Sequence, residues 1–358
     1  MRLVLLVFVA AALAAGADLR WMPLPDAAFE VNGLPWYQEN QGALIRLPLS
    51  LEKVVRPPVW SLSQSPSGGR IRFRSDSTTL AIRLEYPSPP NMANMHAFGQ
   101  TGVDLYLDGV YCRTAVAGKD ATPGKVYEEV LFDLTGRART ERDITLYLPL
   151  YKPVKVHGIA VDGGAKIARA KPYALAKPVV FYGTSITQGG CASRPGMSYQ
   201  AILGRQLNLD FVNLGFSGNG MGEIEMARAV SKIDAAAYVL DYSQNNRTLE
   251  SLEKVYTPFL EALREKRADA PVIAITAIYA ARELLGTDEL EKMRAHIRQV
   301  VSRRIAAGDT HLQLVEGTDL LGPAQGDGLV DGSHPNDLGF QWMADGLAGR
   351  LRKILELR

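Results

Sequence analysis

The sequence lacks features that mark several common classes of protein. Its 40 lysine and arginine residues are balanced by 38 aspartate and glutamate residues, so there is no large excess of positive charge. A nucleic-acid-binding protein draws much of its affinity from such an excess, and we therefore expect no nucleic-acid partner. Charged residues make up 22% and apolar residues 47% of the 358 positions, which is typical of globular proteins and argues against a disordered chain.

Cysteine and histidine are also scarce. The two cysteines, Cys112 and Cys191, lie far apart in the sequence, and this separation does not predict a disulfide. The five histidines form no cysteine–histidine cluster with zinc spacing and no His-Glu-x-x-His motif. We therefore expect no metal ion and no other cofactor.

Long apolar runs are absent except for one at the amino terminus. Arg2 is followed by the apolar stretch 3–14 and then by the small residues 15–17, a pattern typical of a secretory signal peptide. We expect residues 1–17 to be removed and the protein to be periplasmic or extracellular, with no stable membrane insertion after cleavage. The alternative is an anchor that is not cleaved, although the run is short for a membrane span.

The first part of the remaining chain shows the period-two alternation of β-strands. Apolar and polar residues alternate in several short segments, and clusters of proline and glycine separate them. Because no amphipathic helix stands out, we predict a β-sandwich over residues 18–170. The clearest predicted strands are 71–74, 80–84, 103–107 and 145–148.

From about Pro178 the pattern changes to strands that alternate with helices. Continuous apolar segments are separated by stretches rich in Ala, Leu, Glu, Lys and Arg. We predict that Ser198 caps the first long helix and that the last helix runs from about Asp337 to Leu357. Such alternation indicates an α/β domain, residues 171–358, whose parallel sheet is covered on both faces and binds ligands at the carboxyl ends of its strands. Its predicted strands are 179–182, 211–214, 237–240, 272–275 and 312–315.

Candidate catalytic residues follow these strands. Ser185 comes directly after the first strand, where a nucleophilic hydroxyl can be displayed, although a serine at such a turn is often only a helix cap. His334 precedes the last helix, in a loop expected at the same edge of the sheet. Asp331 can accept a hydrogen bond from one ring nitrogen of His334 and leave the other to take the serine proton. The remaining histidines have simpler surface or structural interpretations: His96, His157, His296 and His311.

Acyl transfer also needs donors near the oxygen that becomes negative. Gly218 follows the second strand and can bring its backbone N–H close to a substrate because no Cβ is in the way. Asn245 follows the third strand and offers a side-chain amide, with Asn246 as the alternative. Residues at the ends of consecutive parallel strands are expected to lie together.

Together these segments resemble the four sequence blocks of the SGNH hydrolase superfamily, the GDSL-like esterases and lipases. Ser185 stands in the first block, Gly218 in the second, Asn245 in the third, and Asp331 with His334 in the last. The resemblance implies a flavodoxin-like three-layer α/β/α fold and a serine esterase mechanism. It also implies an oxyanion hole formed by the N–H groups of Ser185 and Gly218 with the side chain of Asn245.

Two departures and a second motif accompany this resemblance. Thr184 stands where many members carry aspartate, and Ser-Gln-Asn-Asn at 243–246 replaces the usual Gly-x-Asn-Asp. Residues 102–106 read Gly-Val-Asp-Leu-Tyr, which resembles the Gly-x-Asp-Leu-Tyr signature of a bacterial branch with a β-sandwich before the SGNH domain. This architecture is also similar to that of secreted carbohydrate esterases of the jelly-roll type.

We therefore expect a secreted serine esterase that removes acetyl groups from a poly- or oligosaccharide, or hydrolyses another small ester. One alternative is a lipase or acylhydrolase acting on longer chains, for which no long apolar lid segment stands out. The other is a catalytically degenerate glycan-binding protein. Its sugar-stacking residues would be aromatics of the predicted sandwich, although such aromatics more often belong to a core: Trp21, Trp36, Tyr37 and Trp60.

Overall fold

The computed structural model describes residues 18–116 and 121–357. The predicted signal peptide, residues 1–17, lies outside the described residues. Within the described ranges, no helix combines the length and the apolar character needed to cross a membrane.

The amino-terminal part is a sandwich of two antiparallel sheets. Alternate side chains of each strand point into the space between the sheets, so Ile71 and Phe73 from one sheet pack in the same core as Leu80 and Ile82 from the other. The first sheet contains, from edge to edge, β1 (Leu19–Met22), β9 (Lys155–Asp162), β4 (Thr79–Glu85) and β7 (Val126–Asp133). The second contains β10 (Ile167–Ala168), β3 (Arg70–Ser75), β8 (Arg142–Tyr147), β5 (Val103–Leu107) and β6 (Val110–Ala115), with β2 (Glu30–Asn32) also paired to β3.

The four strands predicted for this part of the chain fall within or overlap β3, β4, β5 and β8. Other elements carried no clear pattern. The first four residues of β6 are all exposed, so that strand has no buried face to produce an alternation. Two short helices, α1 (Pro57–Ser63) and α2 (Ala97–Thr101), are too short for a helical period to be read from the sequence.

The carboxyl-terminal part is a five-stranded parallel sheet between two layers of helices. Adjacent residues of the strand 179–183 point to opposite layers, since Val180 and Tyr182 pack in one core cluster and Val179 and Phe181 in the other. The strands in spatial order are β12 (Phe211–Gly215), β11 (Val179–Gly183), β13 (Ala237–Asp241), β14 (Val272–Ile275) and β15 (Leu312–Val315). The helices are α3 (Ser185–Gln188), α4 (Tyr199–Leu207), α5 (Ile224–Lys232), α6 (Leu249–Lys266), α7 (Glu289–Ala306), α8 (Gly317–Leu320) and α9 (Asp337–Ile354).

The predicted three-layer α/β/α fold with a preceding β-sandwich is therefore confirmed, and the predictions for helix ends need two corrections. Ser198 occupies the cap position of α4, but its side chain makes no capping hydrogen bond. The last helix ends at Ile354 and not near Leu357. Its start at Asp337 agrees with the prediction, and Asn336 caps it by accepting a hydrogen bond from the Gly339 N–H at 3.0 Å.

Two buried arginines join the sandwich side of the molecule to the parallel sheet. Arg46 donates to the backbone carbonyls of Asn213 and Gly215 at the end of β12, and burial lowers its pKa to about 9. Arg70 of β3 forms an ion pair with Asp210. Buried charges persist only where such partners replace water, so these contacts fix the sandwich against the edge strand β12.

Candidate active site

Strand β11 places Ser185 at the carboxyl edge of the parallel sheet. Ser185 is the first residue of α3, which follows β11 after one intervening residue, Thr184. The Thr184 hydroxyl caps α3 by accepting a hydrogen bond from the Ile186 N–H at 3.2 Å. Gly183 allows the sharp turn, because a Cβ there would lie 2.4 Å from the backbone oxygen of Asp241. The Ser185 side chain is displayed at the site although the residue is only 9% exposed.

His334 and Asp331 lie in line with Ser185. The distance from Ser185 Oγ to His334 Nε2 is 2.9 Å, and His334 Nδ1 is 2.8 Å from Asp331 Oδ2. Burial raises the pKa of Asp331, but hydrogen bonds from Asn94 and His334 outweigh that effect and lower it to about 2. Because an ionised carboxylate only accepts, His334 Nδ1 carries its proton and Nε2 accepts from the Ser185 hydroxyl. This is the arrangement that a general base requires.

The loop that carries His334 is held by its own backbone and by the neighbouring loop. Asp331 Oδ1 accepts from the N–H groups of Ser333 at 3.1 Å and His334 at 2.9 Å. The carbonyl of Gly332, which has a φ of +80°, accepts from the Ala281 N–H at 2.7 Å. The sequence Asp-Gly-Ser-His therefore forms a local turn that aims the imidazole before any substrate binds.

The predicted oxyanion donors line the same pocket as the nucleophile. Gly218, with φ of +65°, and Asn245 both line a pocket of about 330 Å³ together with Ser185 and His334. No hydrogen bond from the Gly218 N–H to another described backbone group is present. One amide hydrogen of Asn245 binds the Phe216 carbonyl at 3.1 Å, which orients the side chain. Asn246 does not line the pocket and donates to a backbone carbonyl 3.3 Å away, so the geometry favours Asn245.

The cysteines and the other four histidines take no part in this pocket within the described residues. Cys112 is exposed, Cys191 is buried, and both are free thiols. A ligand atom of Cys191 lies within 4.8 Å of ligand atoms of Asp331 and His334. Burial and the charge of Asp331 raise the pKa of the Cys191 thiol to about 12, and both ring nitrogens of His334 already have partners. A protonated thiol and an imidazole with both nitrogens occupied do not suit a metal ion, whereas Asp331 and His334 suit a proton relay to Ser185.

Two residues from the amino-terminal part reach the same site and were not predicted. Asn94 Nδ2 donates to Asp331 Oδ2 at 2.9 Å, and the Tyr151 hydroxyl donates to the Ser185 carbonyl at 3.3 Å. Asn94 lies in a loop between β4 and α2 that has no periodicity and no motif. The sequence therefore contains no signal that would have placed either side chain beside the triad.

The Gly-x-Asp-Leu-Tyr motif joins the two parts of the molecule. Asp104 is fully buried and accepts from Arg194 at 3.0 Å and from the Gly196 N–H at 2.7 Å. The hydroxyl of Tyr106 accepts from the same arginine at 2.6 Å. Leu105 points the other way, into the sandwich core. The motif therefore holds the segment between α3 and α4, and none of its residues lines the pocket.

Comparison with protein-family models agrees with this architecture. Residues 176–352 match the GDSL-like lipase/acylhydrolase family, and residues 19–167 match the amino-terminal domain of SGNH-hydrolase-type esterases. The chain belongs to the SGNH hydrolase superfamily. Both parts of the family resemblance inferred from the sequence are thus confirmed, and this SGNH hydrolase is an esterase or acylhydrolase. No curated protein is similar enough to match the chain.

Solved structures show the same fold over nearly the whole chain. A protein described as a GDSL-like lipase from Bacteroides ovatus has a TM-score of 0.84 and 29% identity, covering 95% of this chain and 99% of its own. A salicylyl-acyltransferase from a tetracycline biosynthetic pathway has a TM-score of 0.80 and 22% identity, with the same coverage. A family two carbohydrate esterase from Clostridium thermocellum, solved with cellohexaose, has a TM-score of 0.62 and 18% identity, covering 81% of this chain and 93% of its own.

Proposed function

We propose that this SGNH hydrolase is an exported serine esterase that removes acetyl groups from a carbohydrate. The observation that carries the proposal is the row of Ser185, His334 and Asp331, with 2.9 Å between the hydroxyl and the imidazole and 2.8 Å between the imidazole and the carboxylate. A nucleophile, a base and an orienting acid in contact are the three groups that acyl transfer through serine requires.

The first half-reaction forms the acyl-enzyme. Ser185 Oγ attacks the ester carbonyl carbon while its proton passes to His334 Nε2, and the carbonyl oxygen becomes negative. The N–H groups of Ser185 and Gly218 and the amide of Asn245 stabilise that oxygen. The imidazolium then gives its proton to the leaving alcohol as the carbon–oxygen bond breaks. Asp331 stays ionised throughout and stabilises the imidazolium.

The second half-reaction restores the enzyme. Water attacks the acyl carbon and gives one proton to His334 Nε2, and His334 returns that proton to Ser185 Oγ as acetic acid leaves and ionises to acetate in solution. Because every proton lost by one group is gained by another, the cycle needs no metal ion and no cofactor.

Three observations support a carbohydrate acetyl ester as the substrate. The pocket of about 330 Å³ suits a small acyl group. The sequence pattern of residues 1–17 supports export, which would bring the protein to extracellular glycans. Carbohydrate esterases, one of them described as an acetyl xylan esterase, share the fold.

A second candidate, hydrolysis of longer acyl esters, is favoured by two exposed leucines that follow a pocket residue in the sequence. Arg282 lines the pocket and belongs to a short 3-10 helix, Ala281–Leu285. Leu284 and Leu285, at the end of this helix, are 77% and 85% exposed. Exposed leucines beside an active site can contact an acyl chain. Turnover of acetyl and octanoyl esters, measured under the same conditions, separates the two candidates. A strong preference for the octanoyl ester would contradict the deacetylase proposal.

The glycan-binding alternative has little support from the aromatic residues that suggested it. Trp36 and Tyr37 are buried in core clusters, and Trp60 packs against one of them. The Trp21 ring is covered by the Arg83 guanidinium at 3.8 Å. These side chains therefore do not form an open platform on which a sugar ring could stack.

Replacement of Ser185 by alanine tests the proposed function. We expect hydrolysis of an activated acetate ester to fall by about 10⁴- to 10⁶-fold and labelling by a fluorophosphonate probe to disappear. Ser302→Ala, on the exposed surface of α7, is the matched control and should keep both. Wild-type hydrolysis by Ser185→Ala protein would contradict the assignment, and release of acetate from a panel of acetylated polysaccharides would name the glycan.

A further inference from the structure

Asp331 has a donor from the sandwich on the same oxygen that faces His334. Asp331 Oδ2 accepts from His334 Nδ1 at 2.8 Å and from Asn94 Nδ2 at 2.9 Å. The Asp331 side chain is 32% exposed, and its other oxygen, Oδ1, is held by the N–H groups of Ser333 and His334. Without Asn94, the side of Oδ2 that does not face His334 would be open to water. Asn94 therefore adds, from outside the α/β part, a further donor that restrains the carboxylate at the oxygen facing His334.

The loop around Asn94 is built around a buried glutamine. Gln100 Oε1 accepts from the N–H groups of Asn91 at 2.9 Å and Met92 at 3.0 Å, and its Nε2 donates to the carbonyls of Met92 at 3.1 Å and Met95 at 2.7 Å. These four bonds hold the backbone on both sides of Asn94. A surface loop without such support would sample many conformations, so the position of Asn94 is determined in advance.

The same loop is anchored to the catalytic domain by its apolar side. Met95 is buried in the core cluster that also contains Ile186, the residue after the nucleophile, and Tyr199 at the start of α4. A Cβ on Gly99 would lie 2.3 Å from the carbonyl of Ala192, which shows how closely α2 approaches the segment after α3. The loop that carries Asn94 thus shares a core with Ile186 of the nucleophile's own helix and packs against the segment after that helix.

A second set of contacts ties the sandwich to the other side of the histidine loop. Asp104 holds Arg194, as described above. The adjacent Ser193 N–H donates to Asp337 at 2.8 Å, and the Ser193 hydroxyl donates to the same carboxylate. Asp337 follows His334 by three residues. The sandwich therefore reaches both ends of the loop that carries His334. Asn94 binds Asp331 directly, and Asp104 holds Arg194, whose neighbour Ser193 binds Asp337.

We propose that Asn94 is a positioning residue of the triad and that the sandwich is part of the catalytic unit. The amide of Asn94 holds the Asp331 carboxylate in the orientation in which it accepts from His334 Nδ1, and so keeps Nε2 aimed at Ser185 Oγ. This inference rests on the proposed function, because it presumes that His334 acts as the base.

The first variant is Asn94→Ala. We expect kcat per active site to fall roughly tenfold, which is the size expected for one hydrogen bond to a charged group that is partly open to water. KM should change by less than about twofold, because Asn94 does not line the pocket. Titrating active sites with the fluorophosphonate probe corrects for any unfolded protein.

The second variant, Asn94→Asp, separates positioning from loop shape. Its side chain has the size of asparagine but cannot donate when ionised, and it adds a negative charge beside Asp331. That charge stabilises the imidazolium, so the acid limb of the kcat/KM profile should move to higher pH by about half a unit to one unit. The other groups near the triad do not move the limb: Cys191 stays neutral because burial and the charge of Asp331 raise its pKa to about 12, and Arg282 lines the pocket in both proteins.

Asn91→Ala is the matched control. It removes an asparagine from the same loop. The Asn91 side chain accepts from Lys152 at 2.8 Å and makes no hydrogen bond with Asp331. Its kcat and pH profile should equal those of the wild type.

The outcomes distinguish the two proposals. If Ser185→Ala abolishes hydrolysis while Asn94→Ala and Asn94→Asp keep the wild-type kcat and pH profile per active site, the role of Asn94 is wrong and the esterase assignment stands. Equal losses in Asn94→Ala and Asn91→Ala would also overturn it, since they would report loop structure only. If Ser185→Ala keeps full activity, the proposed function itself fails.

Discussion

The parallel sheet and the sandwich contribute to the active site in different ways. All the proposed reacting groups and oxyanion donors, from Ser185 to His334, lie at the carboxyl edge of the parallel sheet, where consecutive strand ends converge. The sandwich contributes side chains that donate hydrogen bonds to those groups. Asn94 donates to Asp331, and Tyr151 donates to the Ser185 carbonyl. The parallel sheet therefore brings the reacting groups together through the order of its strands, whereas the sandwich supports them with side chains from its loops.

The largest expected effect compares one histidine from each part. His334→Ala should lower kcat by about 10⁴- to 10⁶-fold because no other group can take the serine proton. His157→Ala, in the sandwich strand β9, removes an imidazole that is paired with Glu85 at 2.6 Å and should change kcat per active site by less than about threefold. Steady-state kinetics on an acetate ester measures both. Similar losses in the two variants would contradict the division of roles.

The next effect compares two neighbouring asparagines. Asn245→Ala should lower kcat by about 10²- to 10³-fold, as expected for loss of one oxyanion donor. Asn246→Ala should lower kcat per active site by less than about tenfold, because its amide is bound to a backbone carbonyl away from the pocket. The reverse ranking would move the third donor to Asn246.

The contact between the two parts should affect stability more than chemistry. Asp104→Asn removes the charge that Arg194 pairs with in a buried setting, and we expect the free energy of unfolding to fall by about 2 to 4 kcal/mol. Urea denaturation measures the change. Arg142→Gln, which breaks an exposed pair with Asp108, is the control and should cost less than about 1 kcal/mol. Equal costs would show that the Asp104 contact does not join the parts.

Asp241, at the end of β13, should make the stability of the protein depend on pH. Burial raises its pKa to about 7, against hydrogen bonds from Thr187 and Tyr199 that lower it. An unfolded aspartate ionises near pH 4 (about 3.9), so between about pH 4 and pH 7 the folded state retains a proton that the unfolded state releases. The free energy of unfolding therefore falls as the pH rises through this window.

Asp241→Asn cannot titrate and should remove this part of the pH dependence. Relative to the wild type, the variant should gain on the order of 2 kcal/mol between pH 5 and pH 8, which urea midpoints at the two pH values measure. Parallel stability curves for the two proteins would show that Asp241 ionises in the folded state as easily as in the unfolded chain.

The smallest expected effect concerns the two exposed leucines near the pocket residue Arg282. Replacing Leu284 and Leu285 by serine should lower kcat/KM for an octanoyl ester by about three- to tenfold, because each exposed leucine contributes only part of its surface to an acyl chain. Turnover of an acetyl ester should be unchanged. An equal fall for both esters would mean that this short helix supports the site and does not contact the acyl group.

Much of the fold was predictable because its signals are local. The five strands of the parallel sheet are short continuous apolar runs, and each run coincides with an observed strand. Ser185, Gly218, Asn245 and His334 could be named because each follows a strand or precedes a helix. Parallel topology then brings such positions together without any knowledge of individual contacts.

Other features were not predictable because they depend on contacts between distant segments. Asn94 and Asp331 are 237 positions apart, and nothing in the loop around Asn94 indicates its partner. Arg46 looks like an ordinary charged residue in the sequence, yet it is buried against carbonyls of β12. The Asp and Tyr of the Gly-x-Asp-Leu-Tyr motif alternate as in any strand, so their joint hold on Arg194 appears only in the folded structure.

Mass spectrometry of the enzyme during turnover tests the central claim most directly. Rapid acid quenching after mixing with an activated acetate ester should show one acetyl group on the peptide that contains Ser185. The signal should be absent in Ser185→Ala and should form far more slowly in His334→Ala. An acetyl group on another residue, or hydrolysis at the full rate with no acylated Ser185, would contradict the account.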